Sequence, residues 1–366
     1  AVMATIACKA KKILIICPAS LKLNWKREIE FYSDETVGIV EGKKWQDGKY
    51  VIINYDILKN FHKIPKDRKD HSHILKEGFD LIIIDEAHYV SNGKAKRTKL
   101  VNHLTTKIDR LWLLSGTPMT SRPMNYYNLL KLVGSRVADL DELRDKTQDK
   151  VLRRLKEDVL DLPDKIITPI QMNLTSREYK REMGEYQDWK RENKTKGLSI
   201  QLAKLMTVRQ IIAMEKVKET EQLIEQSINQ DKKVIVFTNF TEPLLAIHEK
   251  YKNNSVILNG AMKKEDRQKS VDRFQTDNNI KIFIGNIKAA GVGITLTAAE
   301  VVIFNDLSFV PSDMSQAEDR AFRIGQKKSV SCIYPIYENT IERKIFNIVN
   351  NKKSVIDTVM GDNIKE

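Results

Sequence analysis

Two adjacent carboxylates, Asp85 and Glu86, are the strongest candidates for chemistry in this sequence. They begin an Asp-Glu-Ala-His tetrad that follows the apolar run 81–84, and such a run is typical of a strand buried on both faces. Open parallel sheets bind ligands at the carboxyl ends of their strands. We therefore predict that Asp85 holds Mg²⁺, which prefers oxygen ligands. Glu86 is then placed to orient and activate the attacking water in phosphoryl transfer. The alternative is a solvated acidic loop.

A second polar turn, Ser115-Gly116-Thr117, follows the apolar run 111–114, one strand–helix unit after the tetrad. Small hydroxyl residues on a tight turn there can sense the neighbouring carboxylates and couple their state to a bound nucleic acid. His88, the last residue of the tetrad, is assigned to the same coupling role. By itself the turn has a common composition, and its position beside the tetrad is what favours this interpretation.

Two arginines in the second half, Arg320 and Arg323, are three residues apart. On a helix that spacing places both on one face, where two guanidinium groups can stabilise charge on a transferring γ-phosphoryl group. Gln316 precedes Arg320 by about one helical turn and is assigned to coupling. The alternative is that Glu318 and Asp319 neutralise the arginines in surface ion pairs worth little.

A glycine-rich segment, residues 289–295, follows the apolar run 282–285. Glycine permits close backbone approach, so Gly293 is predicted to contact the nucleotide. Thr295 is placed to meet a phosphate of nucleic acid. Two glycines alone are weak support for either role.

The elements that must position these residues follow one pattern in both halves. Short apolar runs without alternation are separated by helix-compatible stretches, which predicts parallel sheets with crossover helices. The predicted strands are 13–17, 51–53, 81–84, 111–114, 234–237, 255–258, 281–284, 301–304 and 331–334. Residues 20–31 predict a helix that carries Leu21, Trp25 and Ile29 on one apolar stripe, with Trp25 packing in the core. The predicted fold class is α/β.

At 366 residues, the chain is long enough for two compact domains. The strand signal is absent from residues 134–212, where a connecting helix over 152–159 is expected to end before Pro163. We predict a first lobe (1–133), a connecting helical segment (134–165), a helical insertion (166–212), a second lobe (213–349) and a C-terminal tail (350–366).

Composition excludes some classes and leaves others open. There is no apolar run of about 18 residues and no signal-peptide pattern, so no membrane partner is expected. The three cysteines, Cys8, Cys17 and Cys332, are far apart and are predicted to be reduced residues of a reducing compartment. The net charge is +13, which suits either a polyanionic partner or a lysine-rich solvated surface.

In order along the chain, these motifs resemble the Swi/Snf family of helicase superfamily two, which are double-stranded-DNA translocases with two RecA-like lobes. The matching segments are 13–21 with Trp25 and Glu28, 54–56, 85–88, 114–118, 152–156, 162–165, 259–260 with Arg267 and Phe274, 291–297, and 316–326. The segments Leu-Arg-Arg-Leu-Lys (152–156) and Arg-Ile-Gly-Gln (323–326) are specific to that family. Residues 120–123 further resemble its annealing-helicase subgroup.

The resemblance implies ATP and Mg²⁺ as cofactors, with arginine fingers at Arg320 and Arg323. It implies contacts to a DNA backbone, which are salt-sensitive and indifferent to base sequence. These contacts are expected at Pro18, Ala19, Ser20, Asn54, Tyr55, Asn259, Gly260 and Thr295. The expected partner is double-stranded or forked DNA, bound by a monomer in a bacterial or phage-infected cytoplasm. Phe322 departs from the family, which commonly has His there, and residues 309–311 depart from its Trp-Asn-Pro.

One expected motif is missing. The phosphate-cradling sequence GxxxxGK[ST] does not occur in these 366 residues, and we expect it upstream of Ala1. A paralogue that binds DNA without ATP is the alternative. A strand-separating DEAH-type helicase or a restriction-complex motor also stays open, although residues 152–155 and 323–326 argue against it.

Overall fold

A computed structural model describes residues 1–65, 72–119, 123–135, 150–154, 156–193, 198–290 and 293–360. The chain divides into two compact units. The first contains residues 1–153 together with those from 353 onward, and the second contains residues 154–352. All three cysteines are free, with Cys17 and Cys332 buried and Cys8 partly exposed.

The first unit is built on a five-stranded parallel sheet in the order β2-β3-β1-β4-β5. Its strands are β1 (Ile13–Cys17), β2 (Val37–Ile39), β3 (Tyr50–Asn54), β4 (Leu81–Asp85) and β5 (Arg110–Leu114). Its helices are α1 (Val2–Ala7), α2 (Lys22–Tyr32), α3 (Leu58–Phe61), α4 (His73–Lys76), α5 (Lys96–Thr105) and α6 (Pro123–Leu132). Every residue of β1 and β3 is buried, as expected for strands covered by helices on both faces.

The second unit contains a six-stranded parallel sheet in the order β6-β11-β10-β7-β9-β8. Its strands are β6 (Lys165–Met172), β7 (Val234–Thr238), β8 (Ser255–Leu258), β9 (Ile282–Asn286), β10 (Val301–Phe304) and β11 (Val330–Tyr337). Its helices begin with α7 (Lys156–Val159), α8 (Arg177–Glu192), α9 (Leu198–Glu215), α10 (Val217–Ile228) and α11 (Thr241–Lys250). They continue with α12 (Lys264–Thr276), α13 (Ile287–Ala290), α14 (Pro311–Glu318) and α15 (Ile341–Met360).

The predicted α/β class is confirmed, and each of the nine predicted strands is present. The predicted helix over residues 20–31 is also present, although α2 begins at Lys22 and a 3₁₀ turn (Ala19–Leu21) precedes it. Ile29 is buried, and Leu21 and Trp25 pack in its cluster. Among the residues that the structure describes, no helix is long and apolar enough to cross a membrane.

Two predictions between the lobes were wrong in part. The segment 166–172 is not helical but belongs to β6, which pairs in parallel with β11 over eight residues. Since β6 is an edge strand with several exposed residues and a central proline, it lacks the continuous apolar run of a buried strand. The helix predicted over 152–159 is confined to Lys156–Val159. Residues 136–149 and 155 lie outside the described part.

Strand β2 was missed because it has only three residues and a glycine at its centre. A Cβ at Gly38 would lie 2.0 Å from the carbonyl oxygen of Gln46, so only glycine permits this close approach of two backbone segments.

Candidate active site

The carboxylate of Asp85 lies at the carboxyl end of β4, between β1 and β5 in the sheet. Its Oδ1 accepts the backbone N–H of Glu86 at 2.8 Å, and its Oδ2 accepts the indole N–H of Trp25 at 2.8 Å. Burial raises the pKa of Asp85, and these two hydrogen bonds oppose that rise. Each oxygen retains a lone pair, because a carboxylate offers about four acceptor sites.

Glu86 has the left-handed backbone conformation (φ 50°, ψ 53°) and opens a 3₁₀ turn, Ala87–Val90. Its Oε2 lies 3.2 Å from Nδ1 of His88, an ion-pair distance without hydrogen-bond geometry. Both atoms are buried and have no hydrogen-bond partner among the described residues. A buried carboxylate oxygen left unsatisfied costs about 1–3 kcal/mol or more. A water molecule at this oxygen would remove that cost.

These residues fit Mg²⁺. The ion typically takes one or two protein carboxylates and completes its octahedral shell with water and phosphate oxygens. Asp85 offers oriented oxygens, and Glu86 has an oxygen without a hydrogen-bond partner among the described residues. In the described part of the chain, no group of three or more His, Cys, Asp or Glu residues could hold a metal by itself.

The turn that contains Ser115 and Thr117 begins beside the tetrad. Leu114, the last residue of β5, is the Cα partner of Asp85. Strands β4 and β5 therefore end side by side at the same edge of the sheet. The Ser115 hydroxyl accepts the N–H of Thr117 at 3.2 Å, and Gly116 is exposed. The predicted coupling turn at Ser115 therefore begins beside the strand end that leads into the tetrad.

The residues predicted to contact DNA in the first unit differ in their exposure. Ala19 and Ser20 are exposed in the turn after β1, whereas Pro18 is buried. Asn54 and Tyr55 are only 6% and 4% exposed. The Tyr55 hydroxyl donates to the backbone oxygen of Asp85 at 2.6 Å, so the structure gives this side chain a contact with the tetrad instead of a free surface.

In the second unit, the two arginines converge on the glycine-rich segment. Nη1 of Arg320 and Nη1 of Arg323 donate to the carbonyl oxygen of Ile294 at 3.3 and 3.2 Å. Nε of Arg320 also donates to the Gln316 carbonyl at 2.9 Å. Gly293, just before Ile294, has a positive φ of 75°, which favours glycine.

The expectation that both arginines lie on a helix face was wrong. Helix α14 ends at Glu318, and residues 319–325 form turns. The backbone changes there to i→i−3 bonds, such as that from Arg320 N–H to the Ala317 carbonyl at 3.1 Å, and Gly325 has a φ of 99°. The shared acceptor on Ile294, rather than a helical face, brings the guanidinium groups together.

The acidic residues before the arginines are engaged by lysines. Lys156 Nζ lies 2.6 Å from Asp319 Oδ1, and Lys165 Nζ lies 2.8 Å from Glu318 Oε2. The other oxygen of Glu318 accepts the hydroxyl of Tyr334. The alternative in which Glu318 and Asp319 serve mainly to neutralise the arginines is therefore disfavoured.

Lys156 and Lys165 are themselves partly buried. Burial lowers the pKa of Lys156 and outweighs the opposing effect of Asp319. Burial also acts to lower the pKa of Lys165, but Glu318 outweighs it and the pKa is raised. Both ammonium groups lie over the Phe322 ring, at 5.6 and 5.4 Å from its centroid, which gives a cation–π role to the residue where the family commonly has His.

Gln326 is a residue whose role the sequence did not reveal. It is 7% exposed, and its Nε2 lies within hydrogen-bond distance of three carbonyl oxygens. These are the oxygens of Ala299 at 2.9 Å and of Thr297 and Ala321 at 3.2 Å. Its Oε1 accepts the N–H groups of two following lysines. It thus ties the arginine segment to the chain that follows the glycine-rich loop.

The Asn259-Gly260 turn is held by a third arginine. Oδ1 of Asn259 accepts the N–H groups of Ala261 and Met262 at 3.0 and 3.2 Å. Arg267 donates from Nη2 to the Gly260 carbonyl at 2.7 Å and from Nε to the Met262 carbonyl at 3.1 Å. Gly260 is exposed, and Asn259 is partly exposed. Thr295 is also partly exposed, whereas residues 291–292 lie outside the described part.

Each unit is an α/β unit with a parallel sheet, and the two carry these motifs between them. This combination is typical of helicase-like proteins. A model of the SNF2-related domain matches residues 2–140, and one of the helicase conserved C-terminal domain matches residues 215–325. These two matches and the relatives described next confirm the resemblance to SWI/SNF-related proteins seen in the motifs.

Similar proteins come from animals and bacteria. A Caenorhabditis elegans homologue of SWI/SNF-related matrix-associated actin-dependent regulator of chromatin subfamily A-like protein 1 is 30% identical, over 95% of this chain and 55% of the relative. Human DNA annealing helicase and endonuclease ZRANB3 is 27% identical, over 95% of this chain and 36% of the relative. An ATP-dependent helicase of Mycoplasma pneumoniae is 28% identical, over 96% and 37%.

The chain thus spans between about a third and just over half of the length of these relatives. Among solved structures, the Sulfolobus solfataricus SWI2/SNF2 ATPase core in complex with dsDNA is 23% identical. The match covers 99% of this chain and 84% of that one, with a TM-score of 0.46.

Proposed function

We propose that this chain is the motor part of a DNA-dependent ATPase that moves along double-stranded DNA without necessarily separating its strands. The observation that carries the proposal is the buried Oε2 of Glu86 after a central strand, an oxygen with no hydrogen-bond partner among the described residues. Beside it lies the oriented carboxylate of Asp85. A general base needs a lone pair that can accept a hydrogen bond from its water, and no hydrogen bond within the described residues uses Oε2 of Glu86.

In this mechanism, Asp85 would hold Mg²⁺ through water, by the carboxylate oxygens that Trp25 and the Glu86 amide orient. The bound ion would neutralise phosphate charge and orient the γ-phosphoryl group of ATP. Glu86 accepts a hydrogen bond from the attacking water and aligns it. Arg320 and Arg323, whose neighbouring carboxylates are engaged by Lys156 and Lys165, supply positive charge to the transferring group.

DNA is the proposed track for three reasons. The net charge is +13, which suits a polyanion. The exposed turns at Ala19, Ser20 and Gly260 offer backbone N–H groups and small side chains of the kind that contact phosphates. The named activity of the ZRANB3 relative is DNA annealing. We extend the proposal to forked DNA and to a monomer acting in a bacterial or phage-infected cytoplasm, in keeping with the bacterial Mycoplasma relatives.

The decisive experiment is Glu86→Gln in the complete protein, with Glu30→Gln on the exposed side of α2 as the matched control. Glu86→Gln is expected to retain ATP and DNA binding. Its DNA-stimulated hydrolysis should fall by about 10²–10⁴-fold, the contribution typical of a positioned acid–base residue. Undiminished hydrolysis would remove Glu86 from this role.

A second measurement separates translocation from strand separation. Movement along a duplex should displace a triplex-forming oligonucleotide, and duplex DNA should stimulate ATP hydrolysis. Efficient displacement of an annealed strand without triplex displacement would instead support a DEAH-type helicase. An absence of stimulation by duplex DNA, or stimulation by RNA alone, would contradict the proposal. If the complete protein lacks a phosphate loop and its affinity for DNA does not depend on ATP, the chain is instead a DNA-binding module without ATPase activity.

A further inference from the structure

Two aromatic side chains from outside the Asp-Glu-Ala-His tetrad hold Asp85 by different atoms. The indole N–H of Trp25, from α2, donates to the carboxylate Oδ2 at 2.8 Å. The phenol of Tyr55, just after β3, donates to the backbone oxygen of the same residue at 2.6 Å. One contact therefore acts on the side chain and the other on the peptide that leads into Glu86.

The Trp25 contact fixes the plane of the carboxylate. The indole nitrogen is a donor only, and packing beside the buried Ile29 and Cys17 limits the directions in which it can point. With the Glu86 amide on the other oxygen, both carboxylate oxygens receive one hydrogen bond. Rotation about the Asp85 side chain would break both bonds, so the remaining lone pairs keep a constant direction.

The Tyr55 contact fixes the backbone at a strained position. Glu86 has φ 50°, a left-handed conformation that is unfavourable for a residue with a side chain. The Tyr55 ring is buried and stacks on Tyr89, with centroids 5.3 Å apart and planes 8° apart. The N–H of Tyr89 donates to the Glu86 carbonyl at 2.9 Å. The stacked pair thus holds the peptides on both sides of Glu86.

We propose that Trp25 and Tyr55 are positioning residues for the nucleotide site, Trp25 through the Asp85 carboxylate and Tyr55 through the backbone of Glu86. The proposal rests on the proposed function, in which Asp85 holds Mg²⁺ and Glu86 aligns the water. The division of labour predicts two different kinetic effects. Loss of the Trp25 donor should raise the Mg²⁺ concentration that hydrolysis requires. Loss of the Tyr55 donor should slow the chemical step.

The test uses Trp25→Phe and Tyr55→Phe in the complete protein, since each keeps an aromatic ring and removes one donor. A hydrogen bond to a charged group contributes more than one between neutral groups, so the loss of the Trp25 donor should have the larger effect. Trp25→Phe should raise the Mg²⁺ concentration for half-maximal hydrolysis about tenfold, with kcat at saturating Mg²⁺ nearly retained. Tyr55→Phe should lower kcat by up to about tenfold, with KM for ATP and the Mg²⁺ requirement unchanged.

Two matched variants serve as controls. Trp112→Phe removes an indole from the cluster that contains Trp25, and Tyr32→Phe removes a phenol hydroxyl from a half-exposed residue of α2. Both should retain the wild-type Mg²⁺ requirement and kcat. If the Trp25 and Tyr55 variants lose activity only in proportion to a loss of folded protein, measured by thermal melting, a purely structural role is indicated and the proposal is overturned.

A readout without nucleotide tests the contact itself. In the ¹⁵N-labelled chain, Asp85→Asn should shift the indole N–H resonance of Trp25 and leave those of Trp45, Trp112 and Trp189 in place. An unmoved Trp25 resonance would overturn the Trp25 part. If Glu86→Gln keeps full hydrolysis, the proposed function fails by itself. If Glu86→Gln abolishes turnover while Trp25→Phe and Tyr55→Phe behave like the controls, only the present inference fails.

Discussion

Lys156 and Asp319 form an ion pair, with Lys156 Nζ 2.6 Å from Asp319 Oδ1. Lys156 also donates to the Phe322 carbonyl at 3.0 Å, so one lysine binds the chain on both sides of Arg320. It is the last residue of the Leu-Arg-Arg-Leu-Lys segment that identifies the family in the sequence. A lysine suits this position because it pairs with the carboxylate next to Arg320 and holds the turn that carries both arginines.

Lys156→Met is therefore expected to impair ATP hydrolysis. The substitution removes the cation that pairs with Asp319 and lets this carboxylate compete for Arg320, which weakens stabilisation of the transferring phosphoryl group. We expect kcat to fall by about tenfold, equivalent to about 1.4 kcal/mol, because the pair is only partly buried and solvent screens it. Steady-state hydrolysis with saturating duplex DNA measures the change.

Lys156→Arg should retain most of the activity, since a guanidinium group can also pair with Asp319. Lys180→Met, at an exposed position on α8, is the matched control for the loss of a positive charge. A Lys156→Met variant with wild-type kcat would show that Asp319 does not affect Arg320.

Gln326→Leu is expected to destabilise the second unit. The change keeps a similar volume but leaves the buried carbonyl oxygens of Ala299 and Ala321 without the Nε2 donor. Unsatisfied buried groups cost about 1–3 kcal/mol each, and partial relaxation should limit the loss in free energy of unfolding to about 2–3 kcal/mol. Chemical denaturation, followed by a probe in the second unit, tests this expectation.

The control is Gln268→Leu, at an exposed position on α12. It should change the free energy of unfolding by less than about 0.5 kcal/mol, as surface substitutions usually do. Equal stability of the Gln326→Leu and Gln268→Leu variants would show that Gln326 does not tie the arginine segment in place.

Much of the fold could be predicted from sequence, because both sheets are covered by helices. A strand buried on both faces has no polar alternation, and runs such as those of β1 and β7 are recognisable without a partner. Strand β6 lacks this signature because it is an edge strand, with Ile166 and Ile167 about half exposed. Strand β2 has three residues, too few for any pattern.

The candidate site was predictable in its residues but not in its contacts. The carboxyl end of β4 identified Asp85 and Glu86, since ligands bind at that edge of a parallel sheet. The helical pattern predicted Trp25 to be a packing residue, because periodicity shows which face of a helix is buried. It does not show which buried atom forms a hydrogen bond. Tyr55 was assigned to DNA by resemblance, whereas its hydroxyl contacts Asp85. The pairing of Lys156 with Asp319 joins residues 163 positions apart, which no local pattern can show.

A buried ion pair in the second unit gives a further prediction. Lys216 and Glu342 are 0% and 2% exposed and are bonded to each other. Lys216 Nζ also donates to the Pro335 carbonyl at 2.7 Å, and Glu342 Oε2 accepts the Tyr337 N–H at 3.0 Å. Lys216→Met should reduce the free energy of unfolding by about 3–5 kcal/mol, because it leaves a buried carboxylate without its cation.

The double variant Lys216→Met, Glu342→Gln should recover part of that loss, since the amide carries no charge and can still accept from Tyr337. Thermal melting of the wild type, both single variants and the double variant completes the cycle. If the two changes are additive, the pair is not coupled and the expected mechanism of destabilisation is wrong.

Arg267 matches the family pattern in the sequence, but the sequence assigned it no role. Its guanidinium donates to the carbonyls of Gly260 and Met262, so it is engaged in shaping the turn that we propose contacts DNA.

Arg267→Ala should weaken duplex binding by about tenfold, the effect of losing about 1.4 kcal/mol. The slope of log K against log salt should stay unchanged, because no phosphate contact is lost. A direct phosphate contact by Arg267 would instead reduce that slope by about one. Lys252→Ala, at an exposed position after α11, is the control and should leave affinity and slope as they are. Titrations with one duplex at several salt concentrations therefore decide between a positioning and a contacting role for Arg267.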